Sequence, residues 1–296
     1  MRAFARFLGA ILIAGLIGAA IAYPAYELTS RFADWPFHRV ASRVAMLALV
    51  FTLTLVCRHM RLHTKRDFGY GLPWRRFLTL CLLWGAVGVA TAGVGAAFLL
   101  WTHLRIGASD FIPTGVNVAR MLLTAVGSGI AVALIEETVF RGVMHTAIER
   151  ESGPWMAALL TAPLFAVLHF VAKVRIAPED VGWGSGFDLL LLSFAPLGHP
   201  TLVLDVFLSW LTVGLILSLT RVLTGSIAVA IGLQAGWVVV LRLLQLCTVG
   251  GSSPTYSHWV SHFDGLLGLW LLPWGAGLAA ALWFTRALWV PPARAG

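Results

Sequence analysis

The stretch that decides the fold is residues 119–148, which read ARMLLTAVGSGIAVALIEETVFRGVMHTAI. A membrane-spanning helix needs about 20 mainly apolar residues, and this stretch supplies them. It also carries charges deep inside the apolar run, at Glu136, Glu137 and Arg141. One ionised carboxylate at mid-bilayer costs about 2.5–3.5 kcal/mol on insertion scales. The stretch therefore predicts a spanning helix whose charged side chains line a polar cavity or pair with other groups.

The rest of the composition places the whole chain in the same class. Of 296 residues, 59% are hydrophobic and 11% are charged, with a mean hydropathy of +0.85. Soluble domains carry about 25% charged residues. This difference excludes a soluble enzyme, a coiled coil and a disordered chain. The three cysteines form no CxxC pair, so we expect no disulfide framework and no thiolate zinc site. The composition predicts an all-α polytopic membrane protein.

Eight apolar segments are long enough to span a bilayer, and we expect a helix in each. They lie at about 7–26, 41–57, 77–101, 119–148, 155–172, 201–220, 226–247 and 266–285. The first follows Arg2 and Arg6 and resembles a signal peptide, which we expect to remain as an uncleaved anchor. The segments are predicted to form about eight transmembrane helices in one integral membrane domain.

Charge distribution predicts the orientation. The formal net charge is +8, but the basic residues lie between apolar runs instead of on one helical face, so we expect no nucleic-acid partner. The loop 58–76 holds six Lys and Arg residues, and Arg150 and Arg221 count as further loop charges on the same side. The positive-inside rule then places both termini in the cytoplasm. An arginine-rich, alanine-rich composition favours a bacterial inner membrane.

The two adjacent glutamates have different prospects for a partner. Glu137 and Arg141 stand at i and i+4 on one helix face, so they are expected to form an ion pair. Glu136 lies about 100° around the helix and lacks a local counter-charge. Three interpretations remain: a structural ion pair, a proton relay in a proton-coupled transporter, and a catalytic acid–base site.

The next span contains a histidine that favours the catalytic interpretation. His169 lies in the apolar run of the fifth span, and a tight connection near 149–154 makes the fourth and fifth spans an antiparallel hairpin. Glu136 is roughly 19–20 Å from Glu149 along its helix, and His169 is roughly 21 Å from Trp155. The two side chains are thus expected at nearly the same depth. A carboxylate and an imidazole there could activate a water molecule, or share a metal ion, for peptide hydrolysis.

These residues carry a resemblance to a known family. Glu136-Glu137-x-x-x-Arg141 followed by Phe165-x-x-x-His169 resembles the CPBP family of intramembrane proteases, which includes the type II CAAX prenyl endopeptidases and the Abi proteins. The resemblance implies an eight-helix fold enclosing a cavity in which a peptide bond is hydrolysed. It implies that Glu136 activates water with His169, supported by Glu137 and Arg141. Glu136 and His169 could do so with a divalent metal such as zinc, or without one.

The resemblance also suggests a division of the chain and a class of substrate. Residues 111–247 would form the family-like core, preceded by membrane helices in 1–110 and followed by an outer loop and last helix in 248–296. The substrate would be a membrane-associated peptide or protein, with CAAX-type processing as one form. The oligomeric state is not indicated.

The last motif of the family is altered in this chain. After Thr224-Gly225-Ser226-Ile227, the expected histidine is Gln234 and the expected asparagine is Val238. An amide oxygen is a weak metal ligand beside imidazole, but an amide NH₂ can still donate to an oxyanion. Both a protease of altered rate and a non-catalytic membrane protein acting by binding, in immunity or secretion, stay open.

Three further polar residues receive expectations of their own. His145 is expected at the membrane interface, and Asp205 and Arg242 are expected to pair.

Small residues at Gly85, Gly88, Gly93, Gly95, Gly127 and Gly129 are expected to let helices approach closely.

Overall fold

The computed structural model describes residues 1–109, 114–170, 174–253, 255–261, 263 and 265–290. The fold is α-helical, as predicted. Its helices, in chain order, are α1 Arg2–Ser30, α2 Phe37–His59, α3 Trp74–Trp101, α4 Gly115–Glu137, α5 His145–Ser152, α6 Pro154–Leu168, α7 Ser185–Ser193, α8 Pro200–Thr224, α9 Ala228–Cys247, α10 Leu271–Phe284 and α11 Arg286–Trp289. A π-helical turn, Thr138–Met144, joins α4 to α5 without a break.

Membrane-spanning length is reached by six helical stretches within the described residues: α1, α2, α3, α8, α9 and the continuous stretch Gly115–Ser152. The fifth and eighth predicted spans correspond to shorter apolar helices, α6 and α10. Between 17% and 50% of the residues in each spanning window are buried, so at least half of each window is exposed or partly exposed. That surface carries exposed apolar side chains such as Leu47, Leu82 and Leu123, which is the pattern expected of helices surrounded by lipid.

Several helix boundaries differ from the hydropathy prediction, among them those of the fourth and fifth spans. The fourth span continues to Ser152, because the π-helical turn keeps the polar end of the stretch helical. The helix of the fifth predicted span, α6, ends at Leu168, and the predicted end of that span at residue 172 lies outside the described residues. The segment between the fifth and sixth predicted spans contains α7, whose nine residues are too few for a spanning helix to be recognised from hydropathy.

The chain divides into two compact units. The first comprises 1–63 and 167–203 and is built on α1, which packs along α2 and α7. Gly18 of α1 allows close approach, since a Cβ at this position would lie 2.9 Å from the Cα of Ala45. Ala22, Phe37 and Ala41 form a buried cluster at the end of α1.

The second unit comprises 64–166 and 204–290 of the described chain, and α9 lies at its centre. This helix packs along α3 on one side and α4 on the other. A Cβ on Gly88 of α3 would lie 2.5 Å from the carbonyl oxygen of Leu233, and one on Gly129 of α4 would lie 2.7 Å from that of Ala235. Glycine is needed at both contacts because any side chain would separate the backbones.

The expected packing role is confirmed for some of the small residues. Gly85 and Gly88 face α9, Gly95 faces the Trp270 ring, and Gly129 faces α9. The remaining two, Gly93 and Gly127, have no described heavy atom within 4 Å of the point where a Cβ would lie, and so make no close contact there.

Replacing Gly88 by alanine should destabilise the second unit. The new methyl group would overlap the Leu233 carbonyl, and overpacking of this kind typically costs about 1–3 kcal/mol. Thermal unfolding of the detergent-solubilised protein should show a lower midpoint for Gly88→Ala. Gly93→Ala, on the same helix but facing open space, is the matched control and should unfold like the wild type. Equal midpoints for the two variants would contradict the close contact.

A short pair of strands is the one sheet element of the described chain. Strands β1, Arg105–Gly107, and β2, Thr248–Gly250, pair antiparallel with Ile106 opposite Val249. The Arg105 guanidinium donates to the Thr248 hydroxyl at 2.9 Å. The pair joins the end of α3 to the end of α9, where hydropathy gives no signal for a strand.

Candidate functional site

The charges in the fourth span form the expected ion pair. Arg141 Nη1 donates to Glu137 Oε1 at 2.9 Å, and both side chains are fully buried. The interaction was predictable because the residues are four positions apart on a helix. Glu137 Oε2 has no hydrogen-bond partner among the described residues. The pair therefore lies in a region without access to bulk water.

Arg141 is held in place by α8 and α6. Its Nη2 donates to the carbonyl of Gly214 at 2.9 Å, and its Nε lies 3.4 Å from the Ser218 hydroxyl. The guanidinium also lies over the ring of Phe165, with Cζ 4.4 Å from the centroid. Phe165 is the first residue of the Phe-x-x-x-His motif, so the two motifs meet at this stacked pair.

The π-helical turn that follows Glu137 is fixed by a second buried arginine. Arg221 of α8 donates through Nε to the carbonyl of Arg141 at 2.9 Å and through Nη2 to the Thr146 hydroxyl at 3.1 Å. π-turns are rare and frequently occur at functional sites. The expectation that Arg221 is a loop charge is wrong, because its side chain is buried and bonds to this turn. Hydropathy alone could not reveal this role.

Glu136 finds a partner in a distant part of the sequence. Gln234 Nε2 of α9 donates to Glu136 Oε2 at 2.6 Å, across 98 positions of sequence. Gln234 is 4% exposed, and its Oε1 has no hydrogen-bond partner in the described part of the chain. The close packing of α4 on α9 at Gly129 and Ala235 brings the two side chains together. Gln234, from the altered last motif, thus contacts Glu136, the first of the two adjacent glutamates.

The second altered position contributes no polar group. Val238 lies one turn after Gln234 on α9 and is partly buried. It offers neither a donor nor an acceptor where the family motif has asparagine. The polar side chains joined at this site by α4 and α9 are therefore Glu136 and Gln234.

His169 belongs to the first compact unit. It is partly buried and directly follows Leu168, the last residue of α6. One turn of α6 separates it from Phe165, which stacks on Arg141. The pairing of His169 with Glu136 stays a prediction.

Two of the weaker expectations are wrong. His145 is not interfacial but fully buried, and neither ring nitrogen has a hydrogen-bond partner among the described residues. Its position in the continuous helix after the π-turn carries it inward. Asp205 accepts from the Ser261 hydroxyl at 3.0 Å, while Arg242 donates to Gln245 at 3.0 Å, so these two do not pair.

Metal-ligating side chains are not clustered in groups of three among the described residues. Within the described ranges, no group of three or more His, Cys, Asp or Glu side chains is placed to hold a metal ion. Catalytic zinc sites use three protein ligands. At Glu136, the neighbouring Gln234 amide directs a hydrogen-bond donor toward the carboxylate.

Comparison with known proteins gives one match. Residues 118–240 match the family model described as Type II CAAX prenyl endopeptidase Rce1-like. No curated protein and no solved structure matches the chain. The matched segment runs from α4 through Gln234 and includes the buried ion pair. With its apolar helices, the chain is an integral membrane protein, and its segment 118–240 is similar to the Rce1-like type II CAAX prenyl endopeptidase family.

Proposed function

We propose that the protein is an intramembrane endopeptidase that hydrolyses a peptide bond in a membrane-associated substrate. The observation that carries the proposal is the contact between Glu136 and Gln234 inside spanning helices, beside the buried pair of Glu137 and Arg141. The matched family is a family of proteases, which supports this class of reaction.

In the proposed reaction, Glu136 acts as the general base. It takes a proton from a water molecule, whose oxygen attacks the scissile carbonyl carbon to give a tetrahedral intermediate. The C–N bond then breaks, and the leaving amine takes up a proton, for which His169 is the proposed carrier. Arg141 keeps Glu137 in place and fixes the helix face that presents Glu136.

Gln234 is proposed to position the attacking water and to stabilise the developing oxyanion. Its NH₂ group has two N–H donors, of which one is given to Glu136. The second is available for the developing oxyanion, and the unpartnered Oε1 can accept from the attacking water. An amide performs these tasks without a metal ion. The proposed mechanism uses only side chains of this chain, and zinc held by Glu136 and His169 stays an alternative proposal.

A non-catalytic role is the second candidate, and the same contact favours it. The Gln234 donor occupies one oxygen of Glu136, and Val238 supplies no polar group. A protein with this arrangement could retain the fold to bind a membrane partner, in immunity or secretion.

The proposal is tested with the purified full chain in proteoliposomes. Peptides ending in a Cys-aliphatic-aliphatic-X sequence would be supplied with and without a prenyl group, and the products identified by mass spectrometry. Cleavage of the prenylated peptide alone indicates CAAX-type processing, while cleavage of both indicates a broader endopeptidase. Absence of any product across membrane-anchored peptides would favour the binding role.

Gln234→Leu should reduce cleavage by about 10²–10³-fold, the usual effect of removing one oxyanion donor. Leucine keeps the volume in the buried site but removes both polar atoms. Gln234→His retains a donor toward Glu136 and should keep most of the activity. The measurement is kcat on a fixed peptide. If Gln234→Leu turns over like the wild type, the amide has no part in the reaction.

The paired substitution Gln234→His with Val238→Asn distinguishes an enzyme from a scaffold. It restores the family's last motif on α9. A large gain of cleavage from an inactive wild type would identify a protease that has lost activity. An active wild type whose rate changes little would support the amide-based mechanism.

A further inference from the structure

The first compact unit contains a cavity lined by residues of α1 and α2 and by residues that follow α6 in the chain. It has a volume of about 610 Å³ and lies at the end of α1 and the start of α2. Tyr26, Phe37, His38, Arg39 and Arg175 are among its lining residues. Ligand pockets usually have volumes of roughly 300–1,000 Å³, so the space suits a small organic group better than a single ion.

The polar lining is basic. Arg39 and Arg175 present two guanidinium groups and His38 an imidazole, and the described lining contains no carboxylate. Neither arginine takes part in an ion pair within the described part of the chain. Two arginines at one cavity without an acidic partner form a site for an anion. The planar guanidinium fork matches the oxygens of a phosphate group.

The cavity lies at the end of α1, where we expect lipid headgroups. Tyr26 follows Arg2 by 24 residues of α1, a rise of roughly 36 Å, against a bilayer core of about 30 Å. Aromatic residues cluster at the same end of α1. The ring centroids of Tyr23 and Trp183 are 5.2 Å apart, and the side chain of Trp35 is exposed. Tyrosine and tryptophan are enriched where a spanning helix leaves the hydrocarbon core.

We propose that this cavity binds the phosphate group of an anionic membrane lipid, with Arg39 and Arg175 as its ligands. The apolar Phe37 and Tyr26 would contact the glycerol portion and the first carbons of the chains. A lipid is favoured over free phosphate because the site opens at the end of two spanning helices, where phospholipid headgroups are concentrated. An anionic headgroup is favoured over a zwitterionic one because the lining carries no acidic group for a choline or ethanolamine. The proposal does not depend on peptide hydrolysis.

Native mass spectrometry of the full chain in a neutral detergent tests the site. Phosphatidylglycerol, phosphatidylcholine and inorganic phosphate would each be titrated at equal concentrations. Arg39→Gln and Arg175→Gln should each weaken phosphatidylglycerol binding about five-fold, since one basic residue near an anionic lipid contributes about that factor. Arg43→Gln is the matched control, because Arg43 is exposed on α2 one turn beyond Arg39 and does not line the cavity.

The outcomes distinguish the phosphate group of a lipid from free inorganic phosphate. Preference for phosphatidylglycerol, lost in the two cavity variants and kept in Arg43→Gln, supports the proposal. Equal occupancy by inorganic phosphate would overturn the lipid as the source of the phosphate. Equal binding of phosphatidylcholine, or an equal loss in Arg43→Gln, would show non-specific lipid contact and overturn the site.

Discussion

Replacing Glu136 by glutamine is expected to reduce peptide cleavage by about 10²–10⁴-fold, the range that one general base contributes. An amide cannot take the proton from water, although it has nearly the same shape as the carboxylate. Its oxygen can still accept from Gln234, as Glu136 Oε2 does at 2.6 Å. The contact between α4 and α9 should therefore persist, and the loss should appear in kcat and not in protein yield.

A matched control distinguishes loss of the base from a general change of charge. Glu151 lies on the same continuous helix, at its exposed end, and Glu151→Gln makes the identical chemical change there. Its cleavage rate should equal that of the wild type, and Glu136→Gln should unfold at the wild-type temperature. Wild-type turnover by Glu136→Gln would remove Glu136 from the mechanism and leave the doublet a structural role.

Local and long-range features of this site differ in how far the sequence could predict them. The pair of Glu137 and Arg141 follows from the helical period, and the structure has it at 2.9 Å. Hydropathy likewise predicted the six helical stretches of spanning length, because each one is a property of about 20 consecutive residues. Such features need no knowledge of how helices pack.

The contact of Glu136 with Gln234 could not be predicted in that way. Gln234 follows Ser226 by eight residues, roughly 12 Å along a helix, but the direction of its side chain depends on the α4–α9 packing. The position of the altered family motif pointed to Gln234, but the motif gave no geometry. The glycine at 129 that permits the close approach carries no sign of its partner in the sequence.

Arg221 shows a different limit of prediction from the sequence. A lone arginine at the end of an apolar run indicates a loop, because hydropathy measures only the average along the chain. Its burial depends on an acceptor created elsewhere, the Arg141 carbonyl in the π-helical turn. A seven-residue π-turn has no recognised sequence signal, so neither the turn nor its arginine partner was predictable.

Replacing Arg141 by methionine should have the largest effect on stability. The change leaves Glu137 buried without its counter-charge and the Gly214 carbonyl without its donor. Removing one member of a buried ion pair typically costs about 3–5 kcal/mol, because the remaining charge stays desolvated. The detergent-solubilised variant should unfold at a markedly lower temperature, or accumulate poorly in the membrane.

The same substitution at an exposed arginine gives the comparison. Arg120 lies on α4 with its side chain exposed, so Arg120→Met should change the unfolding temperature little. Any effect of Arg141→Met beyond this control belongs to the buried site and not to the loss of a positive charge from the helix.

A second substitution tests the cause of the instability. In the variant that combines Arg141→Met with Glu137→Gln, no charge is left at the pair, and replacing both partners of a buried ion pair is often nearly neutral. The double variant should therefore recover a large part of the lost stability. If it is as unstable as Arg141→Met alone, the loss arises from the other contacts of Arg141, with Gly214, Ser218 and the Phe165 ring. Recovery of stability without recovery of cleavage would show that the pair supports Glu136 in catalysis as well as in folding.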